Sequence, residues 1–424
     1  MLLSTIVKSY QNIRVLCIGD VMLDHFLYGK VERISPEAPV PVFNFRKEKR
    51  MLGGAGNVVA NLNSLGCSAD LISFIGADSA GAEVQRLLAD VSADSLSIEV
   101  PDYPTIEKTR VIAGNSHLLR IDNERRFDDV AEADAVLDAQ LSARVAKADI
   151  VLLSDYAKGM LSPARCQRII QACREAGKPV IIDPKGSDYA KYRGATVVKP
   201  NLKEFNQATG MAISPEQPDF LEGLSRGARQ LFHDCGIENL LVTLSEHGMA
   251  FVSSKDADTV FQIPTEAREV FDVSGAGDTS LAAFGASMAA GASIKQAMKL
   301  ANIASGIAVG KLGTSCVTAL EIQDALSRRR SVGAGLGWKQ KRKIVSAHEA
   351  AEIAAQCREQ GRKVGFTNGC FDLLHQGHLH SLMQAREHCD VLMVGLNTDA
   401  SIKRLKGPER PIQDEKTRAL LLAS

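Results

Sequence analysis

Five short apolar runs in this chain stop at a polar or acidic residue, as buried strands do at their carboxyl ends. They are Arg14-Val-Leu-Cys-Ile-Gly-Asp20, Asp149-Ile-Val-Leu-Leu-Ser-Asp155, Pro179-Val-Ile-Ile-Asp183, Ala195-Thr-Val-Val-Lys199 and Asn239-Leu-Leu-Val-Thr243. A continuous apolar run of this length suits a strand covered on both faces. Helical patterns lie among them, at residues 163–176 and 220–235. Such alternation predicts an α/β fold, a parallel sheet with helices on both faces. Ligands of such sheets bind beyond the carboxyl ends of the strands, where Asp20, Asp155 and Asp183 fall.

Two stretches break the alternation. Residues 40–45 and 109–120 read as strands without intervening helices, and predict a small antiparallel β flap on the main domain. A flap could be a lid, a dimer surface or both, and a homodimer through it is expected. At 424 residues the chain exceeds one ordinary core. Residues 328–343 hold seven basic side chains, no acidic one and three glycines, and read as a linker. Nucleic-acid binding is the alternative to a solvated tether, but no aromatic interleaving accompanies the run. A second α/β unit follows: helix 347–360, strand 363–367, helix 377–388, strand 390–396 and a closing helix. The expected domains are therefore 1–327 and 344–424, joined by 328–343.

Basic and acidic residues balance at 50 each, so no global field draws the chain to nucleic acid or to a membrane. No run reaches the ~18 apolar residues of a membrane span. Nine cysteines form no CxxC pair, which argues for a reducing compartment, with the cytoplasm expected, and against a zinc site.

Two segments carry phosphate chemistry. In Gly275-Ala276-Gly277-Asp278, glycines open an apolar helix, and their amides make an anion site at its N-terminus. A carboxylate beside phosphates would be repelled unless it had a task; accepting the proton of an attacking hydroxyl fits. An acid capping a tight glycine turn is the plainer alternative. Gly53-Gly54-Ala-Gly-Asn57 opens another helix and can pack against a polyhydroxylated ligand. Asn201 and Glu204 stand three residues apart at a strand end and could hold Mg²⁺ through water, or merely cap a helix. Residues 243–248 form a strand and polar turn suited to a nucleotide edge, or an ordinary β-turn.

The order Gly19-Asp20, Gly53 to Asn57, Asn201 with Glu204, then Gly275 to Asp278 resembles the ribokinase-like (PfkB) sugar kinases over residues 10–320. The resemblance implies that Asp278 is the base and that Gly275, Ala276 and Gly277 form the anion hole. It implies ATP binding by Asn201, Leu202, Lys203, Glu204, Thr243, Ser245, Gly248 and Asn302, with Mg²⁺ near Asn201 and Glu204. Asp20, Asp24, Gly53, Gly54, Asn57, Lys158, Asp183 and Lys185 would meet the sugar. Members of the family often use a monovalent cation near the segment before the glycines.

The second segment is Thr367-Asn368-Gly-Cys-Phe-Asp-Leu-Leu-His375-Gln-Gly377-His378. Two imidazoles on a helix N-terminus can bind triphosphate oxygens and stabilise the pentacoordinate centre as pyrophosphate leaves. Zinc is the competing thought, but no acid completes a ligand set. The segment resembles the cytidylyltransferase-like nucleotidyltransferases, a Rossmann-like fold. By that resemblance Thr367, Asn368, His375, Gly377 and His378 bind ATP, Lys403 and Lys406 neutralise the triphosphate, and Arg410 or Arg418 assists. That family continues past the point reached at Ser424, so an incomplete second site with little or no nucleotidyl transfer is expected.

Together the halves resemble the bifunctional heptose 7-phosphate kinase and heptose 1-phosphate adenylyltransferase family of lipopolysaccharide synthesis. The resemblance implies ATP and sugar phosphates as substrates. Lys158, Lys185, Arg110 and Arg120 are candidates for the distal phosphate. A kinase for another sugar, with a nucleotide-sensing or dimerising C-terminal module, is the alternative.

Overall fold

Residues 14–19 are buried from Val15 onward, as the unbroken apolar run requires of a central strand. The computed structural model describes residues 2–423 except 93, 115, 267–272, 274, 312–314, 333–342 and 360–361. The chain divides into two units, Met1–Ala325 and Leu326–Ser424. Most of the expected linker lies outside the described residues. Its first part, to Val332, is the end of helix Ala319–Val332, because the basic run holds no helix breaker before Gly333.

The strands of the first unit are β1 (Arg14–Gly19), β2 (Val21–Ile34), β3 (Pro41–Gly54), β4 (Ser68–Gly76), β5 (Leu96–Val100), β6 (Glu107–Ala113), β7 (Ser116–Asn123), β8 (Ile150–Ser154), β9 (Val180–Asp183), β10 (Val197–Val198), β11 (Asn239–Thr243), β12 (Met249–Ser253) and β13 (Asp256–Ile263). Among the described residues, nine of them form one sheet in the order β13-β12-β11-β10-β9-β8-β1-β4-β5. All five expected strands lie in it, joined by β4 and β5. Pairing is parallel except at one edge, where β11, β12 and β13 run antiparallel. There the turn at residues 245–248 returns the chain directly, with no crossover helix.

The expected antiparallel flap is instead a mixed four-stranded sheet, β3-β2-β6-β7. Two hairpins, β2–β3 and β6–β7, lie side by side, and their first strands pair in parallel. Helix Ala276–Ala289 packs into the core along nearly its whole length, as an apolar helix without a polar face must. A Cβ at Gly285 would meet Leu152 Cδ2 at 2.7 Å, so glycine brings this helix close to β8. A Cβ at Gly19 would meet the Ser154 carbonyl at 2.2 Å. The first approach seats the helix against β8, and the second lets β1 and β8 lie close at their carboxyl ends.

The second unit has β14 (Val364–Gly369) and β15 (Val391–Leu396), paired in parallel, with helices Ala347–Glu359, Gln376–Glu387, Asp399–Lys406 and Glu415–Ala423. Helix Asp399–Lys406 adds to the three expected; Thr398 caps it through a bond from the Ser401 amide. No helix among the described residues is long and apolar enough to cross a membrane.

Candidate functional site

Asp278 sits in the first turn of helix Ala276–Ala289, whose N-cap Gly275 takes the left-handed φ of 77°. Its side chain is buried, with the residue only 6% exposed. One carboxylate oxygen accepts from Asn57 Nδ2 at 2.7 Å and the other from the Tyr156 hydroxyl at 2.7 Å. Burial pushes the carboxyl above its usual range, against the opposing pull of Asn57, Tyr156 and Lys199. Asn57 comes from the first turn of helix Ala55–Ser64. One turn on, Asn61 donates to the Asn57 carbonyl and accepts from Thr279 Oγ, locking the two helix starts together. A Cβ at Gly54 (φ 58°) would lie 2.3 Å from the Asp20 carbonyl, and one at Gly53 2.5 Å from the Asp24 carboxylate. Both glycines admit the helix to the strand end.

Beside Asp278 opens a cleft of about 180 Å³, lined by Asp183, Lys185, Lys199, Asn201, Glu204, Thr243, Gly275 and Gly277 among others. A Cβ at Gly277 would face this cleft with Asp183 Oδ2, at 3.9 Å, as its nearest neighbour, so glycine keeps the space open for a ligand. Ala276 departs from the expected anion hole: its amide donates to the Val273 carbonyl at 3.3 Å. Lys199 is buried 3.2 Å from Asp183 Oδ1. Burial nonetheless pushes Asp183 up to about 6.

Asn201 and Glu204 close a capping box on helix Leu202–Thr209: Asn201 Oδ1 accepts the Glu204 amide at 2.9 Å, and Glu204 Oε2 the Asn201 amide at 3.1 Å. Glu204 Oε1 accepts from Lys185 Nζ at 3.1 Å. Lys185, expected at the sugar, thus lines the cleft paired with Glu204. With both carboxylate oxygens engaged, Glu204 suits a magnesium ion that keeps its waters better than one stripped of them. Among the described residues no three His, Cys, Asp or Glu side chains form a metal cage.

Asp20, expected at the sugar, is engaged with the backbone. It is 2% exposed, and its carboxylate accepts three amides, from Tyr156, Lys158 and Met160. Burial and then Asp155 push it to about 6. It holds a loop rather than facing the cleft. Asp24 pairs with Arg110 at 2.5 Å, Lys158 with Glu124, and Arg120 with Asp122. Gly248 (φ 91°) is architectural, since a Cβ there would strike the Ile263 carbonyl. Ser245, with φ 51°, shapes the same turn. A hollow beside that turn is lined by Glu246, His247, Gln262, Pro264 and Thr265, and Asn302 anchors its edge by donating to the Pro264 carbonyl at 2.6 Å. Leu202 and Lys203 lie in the first turn behind Asn201.

Sequence reasoning passed over Tyr156, Lys199 and Lys108. An aromatic at a strand end reads as core, and a lysine before proline as surface. Lys108 stands on β6 across from Asp24 of β2 and Asp122 of β7. Its ammonium makes no hydrogen bond to a described residue. Burial, then the neighbouring Lys158, holds it below the ordinary lysine range.

In the second unit, His375 caps helix Gln376–Glu387 by accepting the Gly377 amide on Nδ1 at 3.1 Å. In the neutral ring this leaves the proton on Nε2, available to a ligand. The His378 ring stacks on it at 3.9 Å, and its buried Nδ1 has no partner among the described residues. Thr367 and Asn368 lie on β14, and Lys403 and Lys406 on the exposed side of helix Asp399–Lys406. Arg418 departs from expectation: at 0% exposure it donates to the carbonyls of Gln413, Cys370 and Asn397 and to Asp399. Arg410 pairs with Asp372 at 2.8 Å.

Residues 12–319 match the pfkB family carbohydrate kinase, and residues 366–424 match the family described as Cytidylyltransferase-like. A bifunctional protein HldE from Paramagnetospirillum magneticum is 48% identical over 430 residues, covering 100% of this chain and 85% of that protein. The one from Rhodospirillum rubrum is 46% identical, covering 100% and 83%. Among solved structures, Arabidopsis thaliana ribokinase complexed with ribose and ATP aligns with a TM-score of 0.57 at 20% identity, over 74% of this chain and 98% of that one. Escherichia coli phosphofructokinase-2 in its tetrameric inhibited form aligns with a TM-score of 0.61 at 20% identity, over 74% and 99%. These two show the fold of the first unit. Matched from end to end by relatives that share both halves, the chain belongs to the family of bifunctional HldE proteins, the carbohydrate kinase and nucleotidyltransferase of ADP-heptose synthesis.

Proposed function

We propose that the first unit transfers the γ-phosphoryl group of ATP to the anomeric hydroxyl of D-glycero-β-D-manno-heptose 7-phosphate, giving the 1,7-bisphosphate, with Asp278 accepting the hydroxyl proton. The observation that carries this reading is a buried carboxylate on a glycine-opened helix N-terminus, aimed by two donors and facing a cleft. Positioning plus charge stabilisation is most of what phosphoryl transfer asks of a protein. Asn201 and Glu204 would hold a hydrated Mg²⁺ at the cleft, and the ion would supply positive charge to offset that of the ATP phosphates. Lys108, Lys158 and Arg110, grouped on the flap side near Asp24, are the cations suited to the distal phosphate. The second unit would move adenylyl from ATP to heptose 1-phosphate, releasing pyrophosphate, with His375 and His378 on the triphosphate.

The boundaries 1–327 and 344–424 fit this division of labour. Exposed apolar side chains on the flap, Phe45, Leu119 and Ile121, support a homodimer through it. Nine free cysteines suit the cytoplasm. The test is a mass-spectrometric assay of ATP with heptose 7-phosphate against ribose and fructose 6-phosphate. Faster turnover of either competitor would replace the heptose reading with a kinase for another sugar.

A further inference from the structure

The loop between β8 and helix Pro163–Glu175 is fixed from both sides. Asp20 accepts the amides of Tyr156, Lys158 and Met160. Asp155 accepts the Ala157 amide at 2.7 Å and is itself held by Tyr192 and Lys191. Ala157 takes the left-handed φ of 57°, unusual for a residue with a Cβ. Strain of this kind persists only where the surroundings over-determine it. Its product is the placement of one side chain: the Tyr156 hydroxyl, 2.7 Å from Asp278 Oδ1.

We infer that Tyr156 is a positioning residue for the phosphoryl-transfer base: its phenol fixes the plane of the Asp278 carboxylate, so that the lone pairs left free face the incoming hydroxyl. The inference rests on the reading of Asp278 as that base. Burial, then the Asp278 charge, holds the Tyr156 phenol well above its usual range, so it stays a donor and is not the base itself. Each carboxylate oxygen has a second acceptor site, and Asn57 and Tyr156 occupy one apiece. The charged and titratable groups facing Asp278 are Lys199, which favours its anion, Asp24 and Asp183, which oppose it, Tyr156, and the Cys17 thiol of β1, which burial and then the Asp278 charge hold up. Of these, Tyr156 supplies a hydrogen bond that lowers the carboxyl.

Tyr156→Phe removes only the hydroxyl. The acid limb of kcat/KM should then move up by about one pH unit, the scale of one hydrogen bond to a charged group. Below the limb the rate should fall about tenfold, and well above it recover to within about threefold of wild type. Site-specific 3-fluorotyrosine at position 156, a stronger donor of nearly the same shape, should move the limb the other way, and keeps the test open if the phenylalanine variant folds poorly. A loss equal at every pH, or an unmoved limb in both proteins, would overturn the inference and leave Tyr156 a packing residue. Asp278→Asn run alongside separates the two claims. If it is inactive while the Tyr156 limb stays put, only this inference fails; if it remains active, both fall.

Discussion

Asp278→Asn should do two opposite things: abolish sugar phosphorylation and stabilise the first unit. On the rate, losing a positioned base costs about 10²–10⁴, or about 3–5 kcal/mol of barrier. On stability, the carboxamide has a single acceptor oxygen where the carboxylate serves two donors, Asn57 and Tyr156. One of those bonds is lost, at about 1–3 kcal/mol. Against this, the variant no longer buries an anion near Asp183 and Asp24. The effective penalty for a buried ion is several kcal/mol, so the balance favours the variant. The sign follows from linkage. The folded carboxyl lies above its unfolded value, so its contribution is fully favourable below the unfolded pKa and is lost as pH rises through the folded one. The gain in melting temperature should therefore be largest at pH 7–8 and shrink toward the unfolded value of about 3.9. Coupled detection of ADP gives the rate, and calorimetry of the ligand-free protein at several pH values gives the stability. ATP should still bind. Turnover within about tenfold of wild type would refute the base. A variant that melts lower than wild type at pH 8 would refute the burial argument.

Glu204→Gln should raise the magnesium requirement of the kinase by about tenfold or more, the usual cost of losing an outer-shell partner; an unchanged midpoint would leave only the cap. Asn201→Ser, which keeps an N-cap oxygen, should shift the same titration while leaving the melting temperature nearly unchanged. Lys108→Met should raise KM for the phosphorylated sugar by about 10–100-fold, the value of a charge-assisted bond, without touching KM for ATP. An unchanged sugar KM would move the distal phosphate elsewhere. His375→Ala or His378→Ala should lower pyrophosphate release from ATP and heptose 1-phosphate by about 10²-fold or more, with sugar phosphorylation intact.

The central strands were legible because a strand buried on both faces announces itself as an unbroken apolar run. The flap was only half legible. β3 carries Arg46-Lys-Glu-Lys-Arg50, which reads as a loop, yet both ends of this strand pair with β2. The parallel pairing of β2 with β6 joins segments more than seventy residues apart, and no local pattern encodes that. Asp278 was legible from its glycines. Its partners were not, because Asn57 lies 221 residues away and Tyr156 122, and only the folded domain brings them together. Arg418 misled for a simpler reason. Arginine is usually exposed, but here carbonyls and Asp399 consume its donors inside the second unit.

Asn201 and Glu204 illustrate why a structural and a functional explanation of the same residues need not compete. The sequence left a helix cap and a magnesium site as alternatives. The capping box satisfies the first, and it also freezes both side chains at the rim of the cleft. A flexible glutamate would lose rotamer entropy on ordering around a hydrated ion; one already bonded to the Asn201 amide and to Lys185 has lost it in folding. The cap is then the means of preorganisation, and deleting it must disturb both stability and metal response. Serine at position 201 separates the two, because it restores the backbone bond without the amide. If magnesium demand and melting temperature moved together in that variant as in Glu204→Gln, the cap alone would account for the pair.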